Sequence, residues 1–243
     1  MRSLVKPKEK ALNLKEFIDL AGERAETYRF FAALYSYQPI EQIARAIRDK
    51  SILKGLSGSG KGFKLIKDYV EDTQKIKKLK DLVEELQIEH TSLFVIPKYT
   101  VGRPYESFYL DREKKIGARV TIEVENFMKR AGVEFTKARD EIADYIAIEL
   151  EFMAFLCAKE EEQWKAGDKE VALIYLNIER DFLKNHMGKW IEPFCDDIYN
   201  ESTANFFKGV VLITKDFIKL EYVEIDDLLG SAKNLKIKTK VKT

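Results

Sequence analysis

Along most of the chain, apolar residues recur at helical spacing and are interrupted by short polar or glycine-containing breaks. Leu14, Phe17, Ile18, Ala21, Ala25, Tyr28 and Phe31 fall three or four residues apart, which predicts an amphipathic helix capped by Asn13 and running to about Tyr37. Pro39, tolerated in a first turn, opens a short helix through Ile47. The stretch from Phe63 to Ile96 carries Leu79, Leu82, Val83, Leu86, Leu93 and Phe94 at mainly helical intervals and predicts one long helix or two abutting ones. Further helices are expected at 117–131, 137–162, 168–184, 186–201 and 203–218, with Gly132 and Gly167 among the breaks. Between Pro97 and Gly117, prolines, glycines and aromatics follow no period, so a long loop is predicted, of the kind that usually carries function. Only "LKIKTKVKT" at the end alternates, and a lone alternating segment makes no sheet, so it is expected to be a frayed basic tail. With no internal repeat or linker, the pattern predicts an all-α, single-domain helical bundle over 13–230, flanked by an N-terminal segment 1–12 and a tail 231–243.

Composition narrows the function classes. Forty-two Lys and Arg balance 41 Asp and Glu, for a formal charge of +1, so no overall field favours nucleic acid or an anionic membrane. A hydrophobic share of 45% in 243 residues is enough for a full core. Cys157 and Cys195 lie in apolar surroundings, spaced like neither a zinc site nor a disulfide framework, and read as buried free thiols. No apolar run approaches a membrane span, and none follows the basic start "MRSLVKPKEK". A cytoplasmic protein without stable membrane insertion is expected.

Several candidate chemistries were weighed on the residues themselves. "KGLSGSGKGF" (Lys54 to Phe63) follows a phosphate-loop pattern from Gly55 to Lys61, but Gly62 stands where a Ser or Thr should ligate magnesium. It also follows a helix end rather than a buried strand, so a connector is expected, and a nucleotide-binding hydrolase is the enzyme-class alternative. Di-iron bundles need Glu-x-x-His, yet Gln87 and Leu183 precede the chain's two histidines, His90 and His186. No metal and no cofactor is predicted, and both histidines are expected to be hydrogen-bonded structural residues. The acid run 160–162 reads as a solvated helix face. In "DEIADYIAIELEFMAFLCAKE", Ile142, Tyr145, Ile146, Glu149, Leu150 and Met153 share one stripe, placing the Glu149 carboxylate on a core-directed face. Such a group needs a partner, and either an internal pair or a charged pocket wall satisfies the pattern. Asp144, around the helix, is expected near a groove edge.

Four dispersed motifs give a resemblance. "RAETYRFFAALY" (Arg24 to Tyr35), Leu93-Phe94 ahead of "RPYESFYL" (Arg103 to Leu110), "DYIAIELEFMAFL" (Asp144 to Leu156) and "FLKNHMGKW" (Phe182 to Trp190) occur in the order found in the TorD/DmsD/NarJ family, which this chain resembles over about residues 20–195. That resemblance implies an all-α cytoplasmic chaperone, not an enzyme. It would hold the twin-arginine signal peptide, or another segment, of an apo molybdenum oxidoreductase until cofactor insertion is complete. The implied partner is that apo-enzyme, with no nucleic acid, and the chaperone is monomeric or dimeric. A helical adaptor for a folded partner is a further alternative. The implied binding residues are Arg24 and Tyr28 on the first helix, then Leu93 and Phe94. They continue with Pro104, Tyr105, Glu106 and Ser107 in the loop, and with Asp144, Tyr145 and Glu149. Tyr145 stands where the family has His. Carboxylates beside an apolar groove suit two guanidinium groups followed by an apolar stretch.

Overall fold

A computed structural model describes residues 12–36, 40–56, 60–76, 78–95, 102–133 and 142–236. The N-terminal segment 1–11, most of the basic tail and the start of the expected 137–162 helix therefore lie outside the described residues. The first helix, α1 (Leu14–Tyr35), begins where the pattern placed it. Asn13 Oδ1 accepts the Glu16 amide at 3.1 Å, and Glu16 Oε2 accepts the Asn13 amide at 2.8 Å, a reciprocal cap for two otherwise orphaned donors. Then come α2 (Ile40–Arg48), α3 (Ile52–Gly55), α4 (Lys61–Ile76) and α5 (Leu79–His90), which loosens into a π-helical turn at Thr91–Val95. The second half holds α6 (Glu106–Leu110), α7 (Arg119–Arg130), α8 (Ile146–Ala166) and α9 (Lys169–Phe182). A π-helical turn, Leu183–Met187, leads from α9 into α10 (Gly188–Glu201), and α11 (Asn205–Asn234) closes the chain.

The architecture is an all-α, single-domain bundle, and among the described residues β pairing is confined to one isolated antiparallel bridge between Tyr105 and Tyr145. Helix α8 buries residues all round its circumference, from Ile146 and Ala147 to Phe152, Met153, Leu156 and Trp164, as a central helix must. Helix α1 packs along it through Phe17, Ala21, Ala25 and Tyr28. An aromatic layer of Tyr35, Phe94, Phe194 and Phe207 joins α1 and the Thr91–Val95 turn to α10 and α11. Each such buried ring contributes roughly 2–3 kcal/mol by area removed from water. Helices α4 and α11 cross closely because Gly62 and Gly209 face one another: a Cβ on Gly209 would lie 2.7 Å from the Gly62 carbonyl and 2.5 Å from Ile66 Cγ1.

Buried charge also ties the bundle together. Arg24 of α1 reaches Glu160 of α8 at 3.1 Å, Glu179 of α9 at 2.7 Å and Glu221 of α11 at 2.8 Å, and Tyr28 donates to Glu221 at 3.0 Å. One cation faces three carboxyls, all almost fully buried. Burial, then the charge of Glu179, pushes Glu160 well above the usual carboxyl range, and burial raises Glu179 as well. Glu160 thus departs from the solvated face expected for 160–162; it also accepts Trp164 Nε1 at 2.7 Å.

Other boundaries differ from the pattern. The last helix does not stop near 218 but continues to Asn234, since nothing between breaks it and Glu221, Ile225, Leu229 and Ala232 are buried along it; residues 231–234 are helix rather than tail. The expected loop 97–117 contains the short helix α6. Helix α8 starts at Ile146, with Tyr145 as its N-cap, so Asp144 and Tyr145 precede the helix rather than ride on it. Both cysteines are free and buried, as expected.

Candidate functional site

Of the motifs singled out in the sequence, three meet at one point. The segment Pro104–Ser107 crosses the turn before α8: the Glu106 amide donates to the Asp144 carbonyl at 3.0 Å, and the Ile146 amide donates to the Pro104 carbonyl at 2.9 Å. This short two-stranded contact places Glu106 over α8, within reach of the turn leading into α10. His186, in the π-helical turn, meets Glu106 through Nδ1, at 3.0 Å from Oε1 and 3.2 Å from Oε2. One turn on, Trp190 Nε1 donates to Glu149 Oε2 at 3.0 Å. The π turn matters here because it changes the register between α9 and α10 and brings both His186 and Trp190 against this cluster.

Asp144 completes the node. Its Oδ2 accepts the Ser107 amide at 2.9 Å, and its Oδ1 accepts the Thr121 hydroxyl of α7 at 2.8 Å. Thr121 in turn accepts the Gly117 amide at 3.1 Å. Tyr145 lies against the Tyr105 ring, with centroids 5.5 Å apart, and donates its hydroxyl to the Tyr35 carbonyl at 2.7 Å. The same carbonyl, in the last turn of α1, meets His90 Nε2 at 3.0 Å. Burial pulls the His90 imidazole down to about 4, so His90 is neutral in the fold.

Three carboxyls in a buried node cannot all stay ionised against one histidine. Burial, then the charge of Glu106 and a hydrogen bond with it, pushes Glu149 well above the usual carboxyl range; the Trp190 bond opposes this and Asp144 adds to it. Glu149 Oε1 is buried with no partner as an acceptor. Placing the proton on Glu149 resolves this, because the acid then has a donor to direct at Glu106. The Ser107 hydroxyl is likewise buried without a partner. Buried polar atoms left unpaired next to a displaced carboxyl titration are unusual in a plain structural core and mark the node as a candidate site.

Above the node lies an open cleft of about 420 Å3 between α7 and the start of α10. Glu123, Asn126, Phe127 and Arg130 form one wall; Asn185, His186 and Lys189 form the other. His186 is its deepest polar group, 8% exposed, with its ring stacked on Phe182 and edge-on to Phe127.

The structure distributes the expected site residues unevenly. Pro104, Tyr105, Glu106, Ser107, Asp144, Tyr145 and Glu149 gather in the node, but its carboxyls lie beneath the surface rather than at a groove edge: Glu106 is 1% exposed, and Asp144 and Glu149 are 0% exposed. Arg24 and Tyr28 sit apart in the Arg24–Glu221 network, and Leu93 and Phe94 in the aromatic layer of the core. The cleft residues Arg130, Asn126, Asn185 and Lys189 were not singled out by the sequence, and no spacing among them marks them. The glycine-rich stretch follows the short helix α3 and opens α4, with Lys61 Nζ 4.7 Å from the centre of the Tyr199 ring, so the strand that a phosphate loop requires is not there. Among the described residues no three His, Cys, Asp or Glu side chains are grouped to hold a metal ion, and no helix is long and apolar enough to cross a membrane.

Comparison with known proteins gives the family. The nitrate reductase delta subunit family model matches residues 58–196, more than half of the chain and the part that carries both the node and the cleft. The chain belongs to this family. It is also similar to chaperone protein TorD of Vibrio parahaemolyticus serotype O3:K6, 24% identical over 202 residues, or 82% of this chain and 93% of that one. Chaperone protein TorD of Vibrio cholerae serotype O1 is 22% identical over 219 residues, covering 89% of this chain and 98% of its own. That of Aliivibrio fischeri is 21% identical over 211 residues, covering 86% and 97%. Within the delta subunit family the chain is thus a TorD-like chaperone and not an enzyme.

Proposed function

We propose that the chain matures a molybdenum-containing oxidoreductase by holding the twin-arginine signal peptide, or another exposed segment, of its apo-form until cofactor insertion is complete. The observation carrying this reading is the convergence of Pro104–Ser107, Asp144–Tyr145 and His186–Trp190, distant in sequence, on one polar, carboxyl-rich node. Its relatives' chaperone names support the same reading. The α6 segment that covers Asp144 and Glu149 is held by the Tyr105–Tyr145 bridge, by the Ser107 amide on Asp144, by His186 on Glu106 and by the Tyr109 hydroxyl, which donates to Asp197 at 2.9 Å. An incoming guanidinium displaces it to reach buried carboxylates, where charge-assisted hydrogen bonds are strong, while Tyr105 and Tyr109 offer apolar surface to the stretch that follows the arginines.

Calorimetric titration with a twin-arginine signal peptide tests this, using a peptide with both arginines replaced by glutamine as the control. Binding at micromolar concentration that weakens with salt, with the control peptide and with Glu106→Gln or Asp144→Asn supports the reading. Equal binding of the two peptides, or none at millimolar concentration, refutes it.

A further inference from the structure

The cleft over His186 is charged opposite to what a signal peptide's arginines require, and this points to a second ligand. Arg130, at the end of α7, and Lys189, at the start of α10, flank it from opposite walls, and among the described residues neither is paired with a carboxylate. Arg130 is held with its guanidinium carbon 5.6 Å from the centre of the Phe127 ring. Asn126 and Asn185 add side-chain amides that have no partner among the described residues. The one acid on the rim, Glu123, is neutralised by Arg119 at 2.6 Å.

His186 makes the cleft more than a chance group of surface cations. Its side chain is only 10% exposed, and Glu106 holds Nδ1 from behind at 3.0 Å. Glu106 at Nδ1 fixes the orientation of the ring, leaving Nε2, which has no partner among the described residues, as the nitrogen offered to the cleft. The arrangement is a fixed imidazole with a buried counter-charge, two exposed cations and two amides around an open depression. It matches a single carboxylate projecting from a partner, with Phe127 against that side chain's apolar stem.

We infer that this cleft docks an acidic peptide segment, anchoring one carboxylate between Arg130, Lys189 and His186. It is a contact separate from, and opposite in charge to, the signal-peptide capture proposed above.

The test is an NMR titration of the full chain with acetyl-tetraglutamate amide, with acetyl-tetralysine amide and inorganic phosphate as comparison probes. The His186 ring and the Asn126 and Asn185 side-chain amides should shift together and saturate with tetraglutamate, and remain unmoved by tetralysine. Arg130→Gln/Lys189→Gln, a change confined to exposed side chains, should weaken that binding about tenfold or more while leaving the Tm unchanged. His186→Gln should weaken it as well; should that variant fail to fold, the double variant decides alone. No saturable shift at millimolar tetraglutamate, binding indifferent to the double variant, or binding of phosphate in place of the peptide would each overturn the inference. The twin-arginine peptide is titrated into the same double variant. Capture of tetraglutamate by the wild type with no signal-peptide binding upholds the acidic-segment cleft and removes the earlier reading; the reverse pattern does the opposite.

Discussion

Replacing Glu149 by glutamine discriminates sharply between a protonated and an ionised buried acid. Gln is nearly isosteric: its carbonyl can still accept Trp190 Nε1, now 3.0 Å from Glu149 Oε2, and its amide can donate toward Glu106 as the protonated acid does. The native carboxyl, pushed well above its usual range by burial and by Glu106, keeps its proton where the unfolded chain has released it. The native state therefore binds more protons than the unfolded state, and wild-type stability falls as pH rises above the unfolded carboxyl's range. One retained proton is worth about 1.4 kcal/mol per pH unit, so above the unfolded carboxyl's range Glu149→Gln should gain on wild type by up to about that much per pH unit for as long as the native acid keeps its proton. His90, held neutral, makes both proteins lose stability as pH falls through the histidine range, and cancels in the difference. Urea unfolding of both proteins at pH 5, 6, 7 and 8, with m checked for constancy, measures this. A loss of about 3 kcal/mol or more at every pH would mean that Glu149 is an ionised partner in a buried pair, and would refute the shared-proton account of the node.

Three further outcomes follow from packing and charge elsewhere. Arg24→Met leaves Glu160, Glu179 and Glu221 buried without their cation and should cost about 3–5 kcal/mol at neutral pH. The cost should shrink at lower pH as these acids take up protons, and Arg24→Lys should recover only part of it, because one ammonium cannot span all three. Gly209→Ala puts a Cβ against Ile66 and the Gly62 carbonyl, and should destabilise by about 1–3 kcal/mol through forced separation of α4 and α11. Glu89 caps α11 by accepting the amides of Thr203 at 2.7 Å and Ala204 at 3.1 Å; these bonds and those from the Thr203 and Ser202 hydroxyls hold its carboxyl low despite partial burial. Glu89→Ala should lower stability by about 1 kcal/mol, seen as a fall of a few degrees in Tm.

Much of the fold was legible because periodicity and capping agree with it. Asn13 and Glu16 form the cap that their spacing announces, and the stripe from Phe17 to Phe31 is the buried face of α1. Patterns failed where tertiary contacts override local preference. "ADYIAIEL" reads as uninterrupted helix, yet pairing of Tyr105 with Tyr145 holds Asp144 and Tyr145 outside it. In "EEE", three adjacent acids look alike until Arg24 and Trp164 take the one that faces inward. The five residues of α6 are too few to show a period. The motifs located the node, but depth is not written in a motif: the acids expected at a groove edge are buried by α6 and α7. The cleft was invisible because Arg130 and Lys189 are 59 residues apart and meet only through the π-helical turn that redirects α10.

The Arg24 network also sets a timetable for synthesis. Arg24 emerges well before its partners Glu160 and Glu221, which lie 136 and 197 positions later. Until both exist, burying α1 would strand its guanidinium, so the core cannot close from the N-terminus as the chain is made. Contacts of such long range also slow folding after release. Helix α11, made long after α1, is the one that lets α1 pack, and a chaperone built this way becomes competent for its client only once α11 has been synthesised.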